Sequence, residues 1–282
     1  MKTNVNRFSS LSKVITYVLL ILGAGIMFVP FFWTLSTALK TQETLYLIPP
    51  QIFPNPITFG NFEFVWKNMD FFRYTMNSFL VVALDVLGQV LSGCIVAYGF
   101  SMFNFKGKNI LFMIMLGTMM MPSQVTMIPT YFIWAKLNLV NTYAPLIVSS
   151  YFGKAFGIYL MTQNFKSLPY SFYESARIDG ANPFSILFRI YMPISIPSVV
   201  TMAIFAFIGA WNNTLGPLLY LNDKSMWTLP LGLLKLSDMP QATSNAAIKM
   251  AGAAITMIPT IVIYFFAQKQ FVEGVASSGV KG

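Results

Sequence analysis

Residues 174–183 of this chain read Glu-Ser-Ala-Arg-Ile-Asp-Gly-Ala-Asn-Pro, a polar stretch between two strongly apolar ones. Ser171 and Glu174 have the spacing of a capping box, which predicts a helix beginning near Phe172. Gly180 predicts the end of that helix, because glycine tolerates the left-handed backbone found at helix C-termini. An ordered helix in a polar loop indicates a surface that is offered to a partner.

A second helix is predicted directly after the first. Asn182 is a favoured N-cap residue, and Pro183 suits the first helical turn. Apolar residues then recur at helical spacing and predict one apolar face, made of Phe184, Leu187, Phe188 and Tyr191. The two helices together predict a helical hairpin.

The composition excludes an ordinary soluble protein. Of the 282 residues, 56% are apolar and 10% are charged. A helix of about 20 residues crosses a bilayer, and six apolar stretches are long enough: residues 14–39, 76–100, 110–134, 142–161, 194–220 and 250–267. The first is too long for a signal peptide, so we expect it to be uncleaved. The chain is therefore predicted to be an all-α membrane protein with six transmembrane helices.

Lysine and arginine mark one side of the predicted membrane. They lie in both terminal tails and in the loops near residue 104 and from residue 163, all on the same side of the six helices: Lys2, Arg7, Lys13, Lys106, Lys108, Lys166, Arg177, Arg189, Lys269 and Lys281. That side is predicted to be cytoplasmic, together with both termini. The net charge of +9 is thus mainly a topology signal. No basic patch is interleaved with aromatic residues, so no nucleic-acid partner is expected.

Missing residue types limit the chemistry that this chain can carry. It has no histidine and one cysteine, Cys94, so neither an internal disulfide nor a Cys/His zinc site is expected. No Gly-x-x-x-x-Gly-Lys-Ser/Thr phosphate loop occurs. We therefore expect no metal, no cofactor and no catalytic residue in this chain, and no ATP hydrolysis by the usual route.

The polar loop resembles the "EAA" loop of ABC-importer permeases. Glu174, Ala176, Gly180, Ile190 and Pro193 fall on that family's pattern of Glu-Ala-Ala, a following Gly and Ile-x-Leu-Pro. A serine at position 175 replaces the central alanine, and a methionine at position 192 replaces the leucine. Both replacements keep size or apolarity.

Two further stretches resemble the carbohydrate branch of that family, the maltose-permease G type. Trp211-Asn212-Asn213 followed by Gly216-Pro217 is similar to its Trp-Asn-Asp-Phe region. The ending Gly279-Val280-Lys281-Gly282 is similar to its Val-Lys-Gly terminus. The resemblance covers most of the chain from Met76 onward.

The resemblance implies a type I ABC importer permease fold in the bacterial cytoplasmic membrane, surrounded by lipid. It implies three kinds of partner: a second homologous permease, two ATPase subunits that bind ATP and Mg, and an extracellular or periplasmic sugar-binding protein. The implied division of the chain is 1–75 for the N-terminal tail, first helix and outer loop, 76–270 for the permease core with the coupling loop 163–193, and 271–282 for the C-terminal tail.

Two contacts with the ATPase are implied by the resemblance. The coupling helix would dock through Phe172, Tyr173, Glu174, Ala176, Arg177, Ile178, Asp179 and Gly180, with the glutamate meeting a basic residue and the two small residues allowing close approach. The tail residues Gly279, Val280, Lys281 and Gly282 would insert between the ATPase subunits. The alternatives are a solvated loop helix with Glu174 paired to Arg177, and a frayed terminus.

Two charges fall inside predicted spans. An unpaired charge in mid-bilayer costs about 2.5–3.5 kcal/mol on insertion scales, so each needs a partner or a wet cavity. Asp85 lies ~13 Å and Lys154 ~18 Å from the outer end of its span. These depths allow either a structural ion pair or a role in lining the sugar path. Gln89, Asn212 and Asn213 carry the same two alternatives, since amides bond to sugar hydroxyls or to neighbouring helices.

The loop 221–249 is predicted to face outward. Met226, Trp227 and several leucines make it too apolar for a plain linker. It either folds back onto the membrane core or, as in related permeases, reaches into the binding protein.

The sequence and the resemblance together predict the permease subunit of an ATP-driven, binding-protein-dependent sugar or oligosaccharide importer, which couples ATPase motion to alternating access. The alternatives are an ABC permease for a non-sugar solute, a secondary transporter without an ATPase, and a membrane scaffold. The ending of the chain and the run Ile178-Asp179-Gly180 argue against the first. Only Asp85 would serve a secondary transporter as a coupling carboxylate, and a scaffold would leave the coupling loop unexplained.

Overall fold

The computed structural model describes residues 3–279, which form helices and connecting loops without any strand in that range. The helices are α1 Thr3–Ala38, α2 Gly60–Asn68, α3 Phe71–Met102, α4 Lys108–Thr118, α5 Ser123–Lys136, α6 Ala144–Ile147, α7 Ala155–Ser167, α8 Ser171–Ile178, α9 Pro183–Ile186, α10 Met192–Ile194, α11 Ile196–Trp211, α12 Leu215–Tyr220, α13 Leu229–Ser237, α14 Pro240–Ser244 and α15 Ala246–Gly279. Two 3₁₀ turns, Val148–Phe152 and Lys224–Met226, and one π-helical turn, Leu187–Tyr191, complete the set.

Contacts divide the chain into two units. The first holds the described part of Met1–Asp70 together with Leu233–Met257, and the second holds Phe71–Gly232 with the described part of Ile258–Gly282. The predicted division at residue 75 is not the same partition, because residues 233–257 group with the N-terminal part of the chain.

The first unit contains α1, an apolar helix whose side chains from Ser12 to Phe31 are exposed. Its C-terminal end is fixed by Asn61 in α2, whose amide donates to the carbonyls of Ala38 and Lys40 at 2.8 Å each. The Lys40 ammonium lies 4.5 Å from the centre of the Trp33 ring. An apolar helix that is exposed all round is typical of one that faces lipid or another membrane helix.

The second unit is built around α3, which packs mainly against α7 and α11. Small residues allow the close approach, as is common between membrane helices. A Cβ atom on Gly157 would lie 2.7 Å from Met202 Sδ, and one on Gly88 would lie 2.7 Å from the Tyr151 ring. The buried core lies at the C-terminal end of α3, where Tyr98, Phe165 and Tyr191 form a mutual edge-to-face aromatic cluster.

Three helical segments are long and apolar enough to cross a membrane: Ser12–Ala38, Phe71–Met102 and Ala246–Phe266. Two bent pairs also qualify when each is taken as one span. Lys108–Thr118 and Ser123–Lys136 meet at 98°, and Pro183–Ile194 and Ile196–Trp211 meet at 86°. The described residues thus contain three to five spans by length and composition.

Three of the predicted continuous stretches are wrong in detail. Residues 110–134 break before Pro122, and residues 194–220 break after Trp211. Residues 142–161 form α6, a 3₁₀ turn and only then α7. Gly153 adopts φ +84°, a left-handed conformation that ends the 3₁₀ turn before α7 begins.

Candidate functional site

The helix of the polar loop, α8, begins differently from the prediction. The capping box of Ser171 and Glu174 is wrong, since Tyr170 is the N-cap residue and no side chain caps the helix. The amides of Tyr173 and Glu174 both donate to the Tyr170 carbonyl, at 2.9 and 3.2 Å. A turn that starts at Pro169 runs directly into the helix, so Ser171 is already a helical residue.

The end of α8 confirms the predicted stop. Gly180 has φ +78°. Its amide donates to the Arg177 carbonyl at 3.1 Å, and the Ala181 amide donates to the Ala176 carbonyl at 2.9 Å. This pair of bonds is a Schellman motif, which satisfies carbonyls that the helix end would otherwise leave free.

The second helix start is also confirmed. Asn182 has extended backbone angles, and its side chain accepts a 2.8 Å hydrogen bond from the Ser185 amide. Pro183 occupies the first turn of α9. Within the sixteen residues from Ser171 to Ile186 the loop therefore contains two short helices joined by a fixed turn.

The predicted apolar face of the second helix is only half right. Leu187 and Tyr191 are buried, but Phe184 and Phe188 are 62% and 42% exposed. The π-helical turn at Leu187–Tyr191 widens the helix and shifts its register. Ile186, which lies outside the predicted face, is fully buried as a result.

Most of the predicted coupling residues lie at the surface of α8. The exposed ones are Phe172, Glu174, Arg177, Ile178, Asp179 and Gly180. Tyr173 is half-buried, with its ring 6.5 Å from that of Phe103. Among the described residues Glu174 and Arg177 form no ion pair with each other. The alternative of a solvated loop helix stabilised by this pair is therefore not supported.

Ala176 differs from the other predicted coupling residues because it is buried. It is 6% exposed and belongs to the core that contains Tyr98, Phe165 and Tyr191. Packing inside this chain therefore requires its small size, and its implied contact with a partner stays a prediction. Ala176 fixes α8 to the core and leaves the opposite face of the helix free.

A second group of polar residues lies inside the second unit, around Asp85 of α3. The carboxylate is almost fully buried and accepts three hydrogen bonds. Ser150 Oγ and Lys154 Nζ donate to Oδ1, the latter at 3.4 Å, and Gln89 Nε2 donates to Oδ2 at 2.5 Å. Three donors compensate the carboxylate for its lost hydration.

The broken helix between α6 and α7 supplies two of these donors. Ser150 lies in the 3₁₀ turn and is fully buried, and its own carbonyl accepts a 2.8 Å bond from Ser92 Oγ. Lys154 is the N-cap residue of α7 and has extended backbone angles. The break thus places both residues against α3, which a continuous helix over 142–161 would not do.

The two predicted asparagines end α11 rather than lying within a span. Asn212 is the C-cap residue, and its side-chain Nδ2 donates to the Ile208 carbonyl at 2.9 Å. Asn213 Oδ1 accepts a 3.0 Å bond from the Gly216 amide and lines the same cavity as Asp85 and Lys154. The structure therefore brings Asp85, Lys154 and Asn213 to one cavity, while Gln89 and Lys154 line a second.

Sequence reasoning missed Ser150 and Thr228. Thr228 is 4% exposed, lines the first cavity, and its hydroxyl has no hydrogen-bond partner among the described residues. No sequence pattern distinguishes these residues from other serines and threonines of the apolar stretches. Their roles depend on contacts between distant parts of the chain.

The first part of the loop 221–249 folds back onto α3. Asn77 Nδ2 donates to the carbonyls of Ser225 and Trp227 at 2.9 Å each. The Ser78 hydroxyl accepts a 2.8 Å bond from the Leu229 amide, and Leu229 and Leu231 are fully buried. This observation favours the fold-back alternative for residues 225–231.

Three of the four predicted tail residues lie outside the described part of the chain. Gly279 is the last residue of α15. Val280, Lys281 and Gly282 lie outside the described residues, so the structure does not test their predicted contact with an ATPase.

Comparisons with known proteins identify the chain's relatives. Residues 89–277 match the family model described as "Binding-protein-dependent transport system inner membrane component". The probable ABC transporter permease protein YurM of Bacillus subtilis strain 168 is 33% identical over 258 residues, which cover 90% of this chain and 83% of that protein. The arabinooligosaccharides transport system permease protein AraQ of Halalkalibacterium halodurans is 32% identical over 230 residues, which cover 81% of each.

A solved structure shares the fold. It is a bacterial ABC transporter involved in the import of the acidic polysaccharide alginate. One of its chains is 23% identical to this chain and superposes with a TM-score of 0.77 over 96% of this chain and 99% of that chain.

The helices define the class first, an all-α membrane protein that shares its fold with a chain of an ABC transporter. The match over residues 89–277 then makes the statement specific: the chain belongs to the family of binding-protein-dependent transport system inner membrane components. It is accordingly a multi-pass protein of the bacterial inner membrane and a transport subunit rather than an ATPase.

Proposed function

We propose that this chain is the permease subunit of an ATP-driven importer for oligosaccharides and that α8 transmits ATPase motion to the membrane helices. The substrate class rests on relatives named for arabinooligosaccharides and diacetylchitobiose, at 32% and 29% identity. Hydroxyl and amide groups of Ser149, Asn213 and Thr228 line the cavity beside Asp85 and suit sugar hydroxyls. Relatives named for sn-glycerol-3-phosphate, at 28% identity, keep a non-sugar solute as the second candidate.

The coupling role is carried by one observation, the two-sided character of α8. Ala176 anchors the helix in the core, while Ile178 is 86% exposed at its end and Glu174 is exposed at its start. An isoleucine exposed beside charged residues is typical of a docking surface. A partner that moves this face would act directly on the aromatic core where α3, α7 and α8 meet.

The proposal includes six membrane spans with both termini in the cytoplasm. Counting each bent pair as one span gives five, and the region of α6 and α7 would supply the sixth as a broken span. Irregular backbone at membrane depth is tolerated where it is buried in protein or lines a cavity; within residues 148–154, Ser150 is buried, and Ser149 and Lys154 line the cavity beside Asp85.

The proposed assembly is a heterodimer of this chain with a second permease, bound to two ATPase subunits that hold ATP and Mg. A binding protein would deliver the sugar to the outer face, where the exposed residues Asp238, Pro240, Gln241, Thr243 and Ser244 offer the contact. The tail residues Gly279, Val280, Lys281 and Gly282 would enter the ATPase interface. Deleting residues 276–282 should leave membrane insertion intact and change ATP hydrolysis, and unchanged hydrolysis would remove the tail from the proposal.

Glu174→Ala tests the coupling assignment. The variant should insert and assemble with the second permease normally but lose at least about tenfold in sugar uptake by vesicles that contain the complete importer, because one charged contact is worth a factor of this order. The matched control is Glu63→Ala, which removes an exposed glutamate from α2. Equal uptake by both variants would contradict the coupling role of Glu174.

The substrate proposal is tested on the unmodified importer. Vesicles that contain the complete complex and its binding protein should accumulate radiolabelled arabinotriose or diacetylchitobiose when ATP is inside. Accumulation of glycerol 3-phosphate with neither sugar transported would favour the second candidate.

A further inference from the structure

Two neighbouring cavities in the second unit share Lys154, and the first of them is also lined by its partner Asp85. The first has a volume of about 160 Å³ and the second of about 200 Å³, and Lys154, Gly209 and Ala210 line both. Among the described residues, Asp85 is the only carboxylate and Lys154 the only ammonium group on either wall. The net charge facing the combined space is therefore zero when both groups are ionised.

We propose that this part of the solute path is electroneutral and selects uncharged saccharides, with Asp85 acting as the counter-charge that prevents Lys154 from attracting anions. The inference rests on the proposed function, since it requires sugar to occupy these cavities. It assigns the charge class of the substrate and names Asp85 and Lys154 as the residues that set it.

The Asp85 and Lys154 side chains differ in exposure and in the number of contacts that hold them. The Asp85 side chain is 4% exposed, and Ser150 and Gln89 hold it in place independently of Lys154. The Lys154 side chain is 48% exposed, and one contact of 3.4 Å to Asp85 Oδ1 links it to the carboxylate. The ammonium has three N–H donors, so it can contact a ligand while it stays beside its counter-charge.

The remaining walls suit a neutral polar ligand. The Thr228 hydroxyl is buried and has no partner among the described residues, and an unsatisfied buried hydroxyl is costly unless a ligand or water bonds to it. Trp211 in the first cavity and Phe156 in the second add aromatic surface. Aromatic faces carry partial negative charge, which attracts the C–H groups of sugar rings and disfavours carboxylates.

The inference predicts that ligand selection follows the net charge of the pair. Asp85→Asn leaves a net charge of +1 and should favour an anionic sugar. Lys154→Gln leaves −1 and should favour a cationic one. The double variant Asp85→Asn/Lys154→Gln is neutral again and should return to the preference of the unmodified protein, whereas a merely structural pair would lose affinity for all sugars alike.

The experiment measures binding to the complete importer in nanodiscs without its binding protein, so that only the membrane path is read. The probes are the neutral sugars arabinotriose, diacetylchitobiose and maltotriose, the anionic trigalacturonate, and the cationic trimer of glucosamine at pH 6. The unmodified importer should bind the best neutral sugar at least about tenfold more tightly than either charged trimer. Asp85→Asn should reduce the affinity ratio between the best neutral sugar and trigalacturonate about tenfold. Lys154→Gln should reduce the corresponding ratio for the glucosamine trimer by the same factor.

Each other outcome is decisive. Trigalacturonate bound by the unmodified importer as tightly as the neutral sugars would overturn the inference while leaving sugar import intact. Single variants that weaken all probes equally would reduce the pair to a structural role. Binding of none of the sugars by the unmodified importer would instead contradict the proposed sugar path itself. Glu63→Gln, which alters an exposed ion pair in α2, is the control and should change no ratio.

Discussion

The coupling loop and the Asp85 site differ in how far apart in sequence their stabilising contacts are. In the coupling loop, the Schellman bonds join Ala181 to Ala176 and Gly180 to Arg177, over at most five residues. At the Asp85 site, Ser150 is 65 residues away and Lys154 is 69 residues away. The first region is thus shaped by its own sequence, and the second by the packing of α3 against the broken helix.

This difference has a mechanical consequence. A loop with local hydrogen bonds can move as a rigid piece when a partner moves it, because it keeps its shape without help from the core. The Asp85 site joins α3 to the 3₁₀ turn and α7, so its contacts must change if these elements slide past each other. The loop is suited to transmit motion, and the site is suited to respond to it.

The largest effect is expected when the local shape of the loop is broken. Gly180→Val forces a β-branched residue to φ +78°, which costs about 1–2 kcal/mol or more. Transport by the complete importer should be lost, because the end of α8 can no longer keep its docking shape. The measurement is vesicle uptake, with protease protection to confirm that the membrane spans are inserted.

Gly107→Val is a matched control for this variant. Gly107 also has positive φ, at +84°, and a Cβ atom at either glycine would meet no atom within 4 Å. Both variants carry the same backbone strain, but only Gly180 lies in the coupling loop. Equal loss of transport in both would show that general strain, and not coupling, causes the defect.

The next effect tests whether the distant contacts act together. A double-mutant cycle of Asp85→Asn and Lys154→Gln should give a coupling energy of about 0.5–3 kcal/mol in thermal unfolding of the purified protein. The exposed pair Glu63–Lys67 is closer, at 2.5 Å, yet should couple more weakly because water screens it. A cycle that is additive at Asp85 and Lys154 would mean that each acts alone.

The same distinction explains which features could be predicted from the sequence. The Gly180 stop and the Asn182 cap were predictable because donor and acceptor lie within one turn of each other. The cap at Ser171 failed because the turn at Pro169 had already started the helix. The charges at Asp85 and Lys154 were recognisable from their cost in a membrane, and Gln89 lies one helical turn from Asp85 in α3, but the donor Ser150 depends on tertiary packing.

The break in residues 142–161 is the most instructive failure. Apolar length predicts a span but cannot show where its backbone leaves the helix. Gly153 and Pro145 are visible in the sequence, but they do not identify a break, because glycine and proline are also common inside membrane helices. What stabilises the irregular turn is the hydrogen bond from Ser92 on α3 to the Ser150 carbonyl, a contact that no local pattern contains.

A smaller effect is expected from one donor of the Asp85 site. Ser150→Ala should lower the unfolding free energy by about 1–2 kcal/mol, because it removes a hydrogen bond to a buried carboxylate that keeps two other donors. Thermal unfolding measures the loss. Ser149→Ala is the matched control, since Ser149 is the adjacent serine and lines the cavity without a recorded bond to Asp85. Equal destabilisation by both would assign the effect to the turn rather than to the carboxylate.

The smallest effects separate the two helix starts of the coupling loop. Asn182→Ala should destabilise the start of α9 by about 1 kcal/mol, because the Ser185 amide loses its side-chain acceptor. Ser171→Ala should have almost no effect, since Ser171 lies inside α8 and caps nothing. Amide hydrogen exchange of residues 171–186 measures both, because opening of a short local helix need not appear in global unfolding.

Faster exchange near Ser171 in the Ser171→Ala variant would mean that the Ser171 side chain does cap α8, contrary to the geometry of the structure. Unchanged exchange near Ser185 in Asn182→Ala would mean that packing of Ile186 in the core, rather than the cap, holds the second helix, and the loop would then depend on distant contacts in the same way as the Asp85 site.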